Sequence, residues 1–414
     1  MKTRWLLLVA VAVGSTSAVA EDWPQWRGPD RNGVSQETGL LKQWPDDGPK
    51  LVWQSTEVGG GYSTPAVVGE RIYLMGDDGK SESVMALSTT DGKQVWSQPI
   101  GKVGPNEGPK YPGSRSTPTV DGKLLYALGS DGDLACLETE TGKVVWSKNL
   151  RSDFGGKPGN WAYSESPLVD GDRVVVTPGG SEATLVALNK TTGELIWKCA
   201  SDEADEAAYA SIVTADLGGT KQYVQFLQKG VVGVDAKTGE LLWRYGKTAE
   251  GSMANIPTPI VHDSYVYTAS GRGGGGLVKI GGEGDAVEAD EVYASPRLPT
   301  AIGGAVIVDG HLYGTSRQGL LCVEFATGET IWQDRSVGAG SVVLAADRLY
   351  LHGEDGEVAL VEANSEMYRE LGRFTPENAP DRGRSKAWAY PVVANGRLYI
   401  RDMNSLWSYD IEAE

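Results

Sequence analysis

Five stretches of the chain align without a gap: ALSTTDGKQVW (86–96), CLETETGKVVW (136–146), ALNKTTGELIW (187–197), GVDAKTGELLW (233–243) and CVEFATGETIW (322–332). Self-similarity of this kind constrains a fold more than any local propensity, because each copy must build the same supersecondary unit. Each copy holds an apolar strand end, a polar connection with Gly at its seventh place, and a short strand ending in Trp. The Gly stands where a hairpin needs positive φ, and the Thr or Asp before it can hydrogen-bond the turn backbone. Two degenerate copies, VKIGGEGDAVEADEVY (278–293) and LVEANSEMYREL (360–371), fill gaps in the series.

A second unit precedes each copy. TPAVVGERIYLMG (64–76), TPTVDGKLLYALG (117–129), SPLVDGDRVVVTPG (166–179), TPIVHDSYVYTAS (258–270), GAVIVDGHLYGTS (304–316), SVVLAADRLYLHG (341–353) and YPVVANGRLYIRD (390–402) all read strand, tight turn, strand. SIVTADLGGTKQYVQFL (211–227) is the same unit with a longer turn. Polar Gly turns such as Asp78-Gly79, Asp131-Gly132, Gln318-Gly319 and Asp355-Gly356 follow. Each repeat is therefore four strands, with first strands starting near 65, 118, 167, 211, 259, 305, 342 and 391. The last repeat has three strands, ending at LWSYDI (406–411), and KLVWQS (50–55) carries Trp53 in the slot for the missing fourth. An N-terminal strand completing the C-terminal blade closes a ring and removes its open edges. We expect an all-β, eight-bladed propeller of four-stranded antiparallel blades over residues 50–414, preceded by a leader at 21–49.

The A-L-x-x-x-T-G-x-x-x-W copies resemble the tryptophan-docking repeats of the pyrroloquinoline quinone (PQQ)-like, or quinoprotein alcohol dehydrogenase-like, propeller superfamily, which includes the BamB-type outer-membrane assembly propellers. DWPQWRGPDRNGVS (22–35) resembles the leader before blade one in secreted members. The resemblance covers nearly all of 22–414, and it implies that Trp53, Trp96, Trp146, Trp197, Trp243 and Trp332 pack between blades. It speaks for fold more than for function.

Composition narrows the rest. Gly is 55 of 414 residues, an excess that suits many tight turns, and 40% hydrophobic with 22% charged residues excludes wholesale disorder. The net charge of −17 argues against nucleic acid as a general partner. Met1 to Arg4 form a positive start, Trp5 to Val13 an apolar stretch of nine, and Ala18-Val19-Ala20 a small-x-small site. That is a secretory signal peptide over 1–20, too short to span a bilayer, with cleavage near Ala20 and a periplasmic or secreted destination. Cys136, Cys199 and Cys322 are widely spaced, so at most one disulfide can form, and Cys136 and Cys322 read as small core residues.

A PQQ-dependent dehydrogenase needs hard oxygen ligands for Ca²⁺ and a carboxylate base, and members of that branch carry a disulfide between adjacent cysteines. This sequence has no Cys-Cys pair and no ligand set that maps onto family motifs. His262, His311 and His352 fall in or beside hairpins. We therefore expect no catalytic residue, no metal and no cofactor, with PQQ and Ca²⁺ belonging to the alternative only. Three long loops lead into first strands and are rich in aromatic and basic residues: 97–115, 147–165 and 373–390. They hold Lys110, Tyr111, Arg115, Trp161, Tyr163, Glu165, Lys386, Trp388 and Tyr390, a composition suited to recognition of a peptide, glycan or planar ligand. The favoured reading is a non-catalytic binding or scaffold module in the cell envelope, with a protein, peptide or glycan partner. A PQQ-dependent alcohol or sugar dehydrogenase and a glycan-binding propeller are the alternatives. The sequence leaves the oligomeric state open.

Overall fold

A computed structural model describes residues 21–105, 111, 113–201, 205–282 and 287–413. Residues 1–20, the expected signal peptide, and candidate Lys110 lie outside the described residues. Thirty-two strands form eight four-stranded antiparallel blades: 66–102, 119–149, 168–199, 213–245, 260–295, 305–334, 340–374, and 392–410 completed by Lys50–Ser55. Lys50–Ser55 pairs antiparallel with Ser405–Asp410, and Trp53 stands opposite Ser408, so the chain's two ends share one blade as expected. Among the described residues, no helix is long and apolar enough to cross a membrane.

The repeated Gly performs two tasks. Gly92, Gly142, Gly193 and Gly239 have φ between +69° and +79°, and each amide donates back to the carbonyl four residues earlier at 2.8–2.9 Å. The residue two places before the end of that turn helps: the Thr141 hydroxyl accepts from Lys143 N and the Asp91 carboxylate from Lys93 N. Each Gly also carries the indole of the preceding blade. A Cβ on Gly92 would lie 2.5 Å from Trp53, and on Gly142 2.5 Å from Trp96. The indole N–H then reaches a carbonyl in that next blade: Trp53 to Thr89 at 2.8 Å, Trp96 to Thr139 at 3.0 Å, Trp146 to Lys190 at 2.9 Å and Trp332 to Asn364 at 2.8 Å. One repeated indole thus fills the gap between blades and satisfies a turn carbonyl.

Three blades depart from the pattern. Blade 5 places Tyr293 in the slot, against Gly328, with its hydroxyl on Phe325 O at 2.9 Å. Blade 7 has Gly372 there, and Trp44 of the leader fills the space. Trp243 shares a core cluster with Val278 and Ile280 of blade 5, but its N–H stays within its own blade, donating to the Gln222 amide oxygen at 2.7 Å. Inside the blades, Cys136 stands between Tyr126 and Trp146, and Cys322 between Tyr313 and Trp332. All three thiols are free and buried, and burial pushes Cys136 and Cys199 up to about 11.

The leader does not lie outside the ring. Trp23 exchanges backbone hydrogen bonds with Val67 of blade 1, and Pro24 O accepts from Val120 of blade 2. The chain reverses at Gly28, whose φ is +82° and whose missing side chain makes room for the Trp23 ring. It returns as Val34–Ser35, parallel to the first strand of blade 7. Three side chains anchor it. Arg31 donates to Ser166 O and Pro167 O of blade 3, Arg27 donates to Ala305 O of blade 6, and the Glu37 carboxylate accepts the Asn395 and Gly396 amides of blade 8. The first strands line the channel, so the leader fills its bore.

An aromatic cavity at the mouth of the channel

The loops that enter first strands share one end of the ring, and there the mouth of the channel holds a cavity of about 280 Å³, near the low end for small-ligand sites. Trp26, at the far end of the leader, forms its floor together with Tyr390. The two rings meet edge to face with centroids 4.6 Å apart, and the Trp26 indole N–H donates to Thr258 Oγ1 at 2.9 Å. Trp388 rests between Tyr62 (5.1 Å) and Tyr111 (4.7 Å), and Trp161 meets Tyr209 at 5.8 Å. Trp388 is fixed by its N–H on the Glu354 carboxylate at 3.1 Å. Tyr390 is fixed by its hydroxyl on Ile302 O at 3.0 Å.

Among the described residues, Arg115 is the one charged side chain in the lining. Its guanidinium donates to Trp161 O at 3.0 Å and to Tyr111 O, and it lies 5.9 Å from the Tyr62 ring centroid. Burial lowers its pKa from the ordinary arginine value. Ser164 lines the same wall with a buried hydroxyl that has no hydrogen-bond partner among the described residues.

The nine candidates thus separate. Tyr111, Arg115, Trp161, Trp388 and Tyr390 converge on the cavity. Tyr163 does not. It is buried between blades 2 and 3, with its hydroxyl on Pro178 O at 2.7 Å. Glu165 is also interior, where it accepts the Thr177 amide and the Gln225 side chain (2.9 Å). Burial pushes Glu165 up to about 7, against the pull of Arg31. Lys386 is outside the cavity, paired with Asp355 at 2.6 Å. Loop composition reveals which segments reach the mouth, but a strand-entry residue can turn inward to the core as readily as outward.

Trp26, Tyr62 and Tyr209 were missed, and the repeat itself carries the signal that finds two of them. In the aligned first-strand units, the position three residues before the Pro of T-P-A-V-V holds Tyr62, Arg115, Ser164, Tyr209, Ile256, Ile302, Ala339 and Trp388 around the eight blades. Seven of these line the cavity, and Ala339 lines the space beside it. That second space, a groove of about 1050 Å³ over blades 5 to 7, shares Ala254, Ile256 and Ile302 with the cavity. Its other walls include Arg297, Arg317, Gln318 and Gln333. Where the repeated position is Ile, Ile and Ala, the aromatic wall is low and the mouth opens sideways.

Eight blades, a plugged channel and a mouth lined by one repeated position define a PQQ-like β-propeller. The model of the family described as outer membrane protein assembly factor BamB matches residues 28–106 and 80–334, and the chain belongs to that family. It is 29% identical over 140 residues to the outer membrane protein assembly factor BamB of Salmonella typhimurium, which covers 33% of this chain and 31% of that protein. It is 25% identical over 321 residues to the quinoprotein alcohol dehydrogenase PedH of Pseudomonas putida, covering 75% of this chain and 48% of PedH. The chain therefore spans about a third to a half of the length of these relatives. The crystal structure of BamB from Moraxella catarrhalis superposes with a TM-score of 0.59 at 17% identity, over 87% of this chain and 98% of that one, which is a likeness of fold.

Proposed function

We propose that this protein is a non-catalytic binding propeller of the cell envelope that takes an extended acidic polypeptide segment. An apolar or aromatic side chain of the segment enters the cavity, and its acidic residues lie along the groove. The observation that carries this reading is the continuity of the two spaces. A box of seven aromatic rings suits one compact apolar group, and the groove beside it offers hydroxyls, amides and the guanidiniums of Arg297 and Arg317 against a single carboxylate among the described residues, Glu354, which already accepts the Trp388 N–H. Neither arginine is in an ion pair among the described residues. On a chain of net charge −17 an acidic ligand is steered only to such a local basic sector. Relatives named as outer membrane protein assembly factors support a partner within the envelope, and the signal-like start of the sequence supports export.

The dehydrogenase reading draws support from the length of the match to PedH. The donor set does not suit it. Among the described residues no carboxylate lines the cavity, whereas a quinone–Ca²⁺ pair requires hard oxygen ligands.

Fluorescence anisotropy with labelled tetraglutamyl-tryptophan, its tetralysyl counterpart and maltohexaose separates the readings. Binding of the acidic peptide, weakened at least tenfold by Trp161→Ala with Trp388→Ala, is the expected result. Preference for the oligosaccharide, or thermal stabilisation by PQQ with Ca²⁺ accompanied by dye-linked alcohol oxidation, would overturn it.

A further inference from the structure

The leader enters and leaves the channel at the same end, and one contact closes the base of its loop. The backbone nitrogen of Glu21 donates to Glu37 Oε1 at 3.0 Å. Glu37 is 1% exposed. Its carboxylate also accepts the Asn395 and Gly396 amides, the latter at 3.0 Å. No cationic side chain pairs with it among the described residues, and burial raises its pKa above the ordinary value. A buried carboxylate with no counter-charge is costly, and native structures pair such groups. Beside it, the Glu21 carboxylate accepts the Gln36 amide at 2.7 Å.

We infer that Glu37 is the receptor for the α-ammonium group of the processed chain, and that cleavage after Ala20 turns an amide hydrogen bond into a partly buried ion pair. This rests on the reading of residues 1–20 as a signal peptide and is independent of the ligand. Hydrolysis of the Ala20–Glu21 bond by water leaves a carboxylate on Ala20 and an amine on Glu21, protonated at neutral pH. The nitrogen already within hydrogen-bond reach of Glu37 becomes the missing cation. Amine capture of this kind is a recurring recognition mode. Here the captured end belongs to the chain itself.

The pair closes the loop whose far end carries Trp26 to the cavity. Processing at the signal site therefore fixes the floor of the binding site, and an unprocessed chain holds that loop by a neutral contact only. Glu37 acts as a positioning residue: it holds the leader and touches no ligand.

The test uses the whole mature protein. N-terminal sequencing of the exported chain should give Glu21 first. The α-amine, labelled by reductive ¹³C-dimethylation and titrated by NMR, should ionise above the ordinary range of about 7.7–8.0, and return to it in Glu37→Gln. Acetylation of the α-amine keeps an N–H but removes the charge. It should lower the melting temperature by a few degrees in the native protein and have no effect in Glu37→Gln. An ordinary α-amine pKa in the native protein, or an equal effect of acetylation in both, overturns the inference. A mature start other than Glu21 overturns it by removing the cleavage on which it stands.

Discussion

Trp44 stands directly over Gly372: a Cβ added to Gly372 would lie 2.6 Å from the Trp44 Cβ. Gly372 faces Leu360, which faces Tyr350, and Trp44 meets the Tyr350 ring at 5.9 Å and Phe374 at 5.4 Å. In blade 1 the same row reads Tyr73, Ala86, Trp96, with rings 6.0 Å apart. The leader has donated the aromatic that blade 7 lacks.

Trp44→Ala should therefore behave as a core deletion rather than as a change in a tail. Loss of about 3–5 kcal/mol is expected from the size of the side chain removed. Urea denaturation followed by tryptophan fluorescence measures it. A loss under 1 kcal/mol would mean that the leader is dispensable to blade 7.

The two tasks of the turn glycines can be separated. Gly69 has φ +53° with nothing near its missing Cβ, whereas Gly92 has φ +69° and the Trp53 ring 2.5 Å away. Gly69→Ala should cost about 1–2 kcal/mol, the strain of a left-handed backbone alone. Gly92→Ala should cost clearly more, because Trp53 must leave its seat. Equal losses in thermal or urea melts would refute the packing role.

Glu165 is a buried acid whose folded pKa of about 7 exceeds its ordinary value of 4.5. The sign follows from linkage: its contribution is fully present below pH 4.5 and is lost as the pH rises through 7. The loss over that window is about 3 kcal/mol. Glu165→Gln should flatten the fall in stability between pH 4.5 and 7, whatever its effect on absolute stability. Parallel pH–stability curves for the two proteins would contradict the assignment.

The thiols should be silent in the folded state. With Cys136 and Cys199 near 11 and both enclosed, about a thousandth of either is thiolate at pH 8. Burial raises Cys322 as well. A thiol-reactive chromophore should label the native protein slowly and at a rate that tracks unfolding, then titrate all three in denaturant. Rapid labelling of any one would place it at the surface.

Much of the ring was legible because one structural unit was written eight times. All eight first strands, the turn glycines and the borrowed strand Lys50–Ser55 follow from spacing and alternation, which depend on local backbone chemistry. The path of the leader did not. Residues 21–49 have no strand period, and their path through the channel is set by contacts with distant blades: the backbone bonds of Trp23, Pro24 and Val34–Ser35 and the side chains of Arg27, Arg31 and Glu37. The site was half legible for the same reason. Loop composition gave Tyr111, Arg115, Trp161, Trp388 and Tyr390, but Tyr163 and Glu165 share a loop with Trp161 and point the other way. Trp26 belongs to the wall only because the leader turns back at Gly28.

A ring of like blades ordinarily passes load only to its neighbours, so damage at one spoke spreads around the rim. The leader gives this ring an axle. From Trp23 to Trp44 it bonds to or packs on blades 1, 2, 3, 5, 6, 7 and 8. A disturbance at one side is thereby felt across the diameter, and the wheel should come apart in one step rather than spoke by spoke.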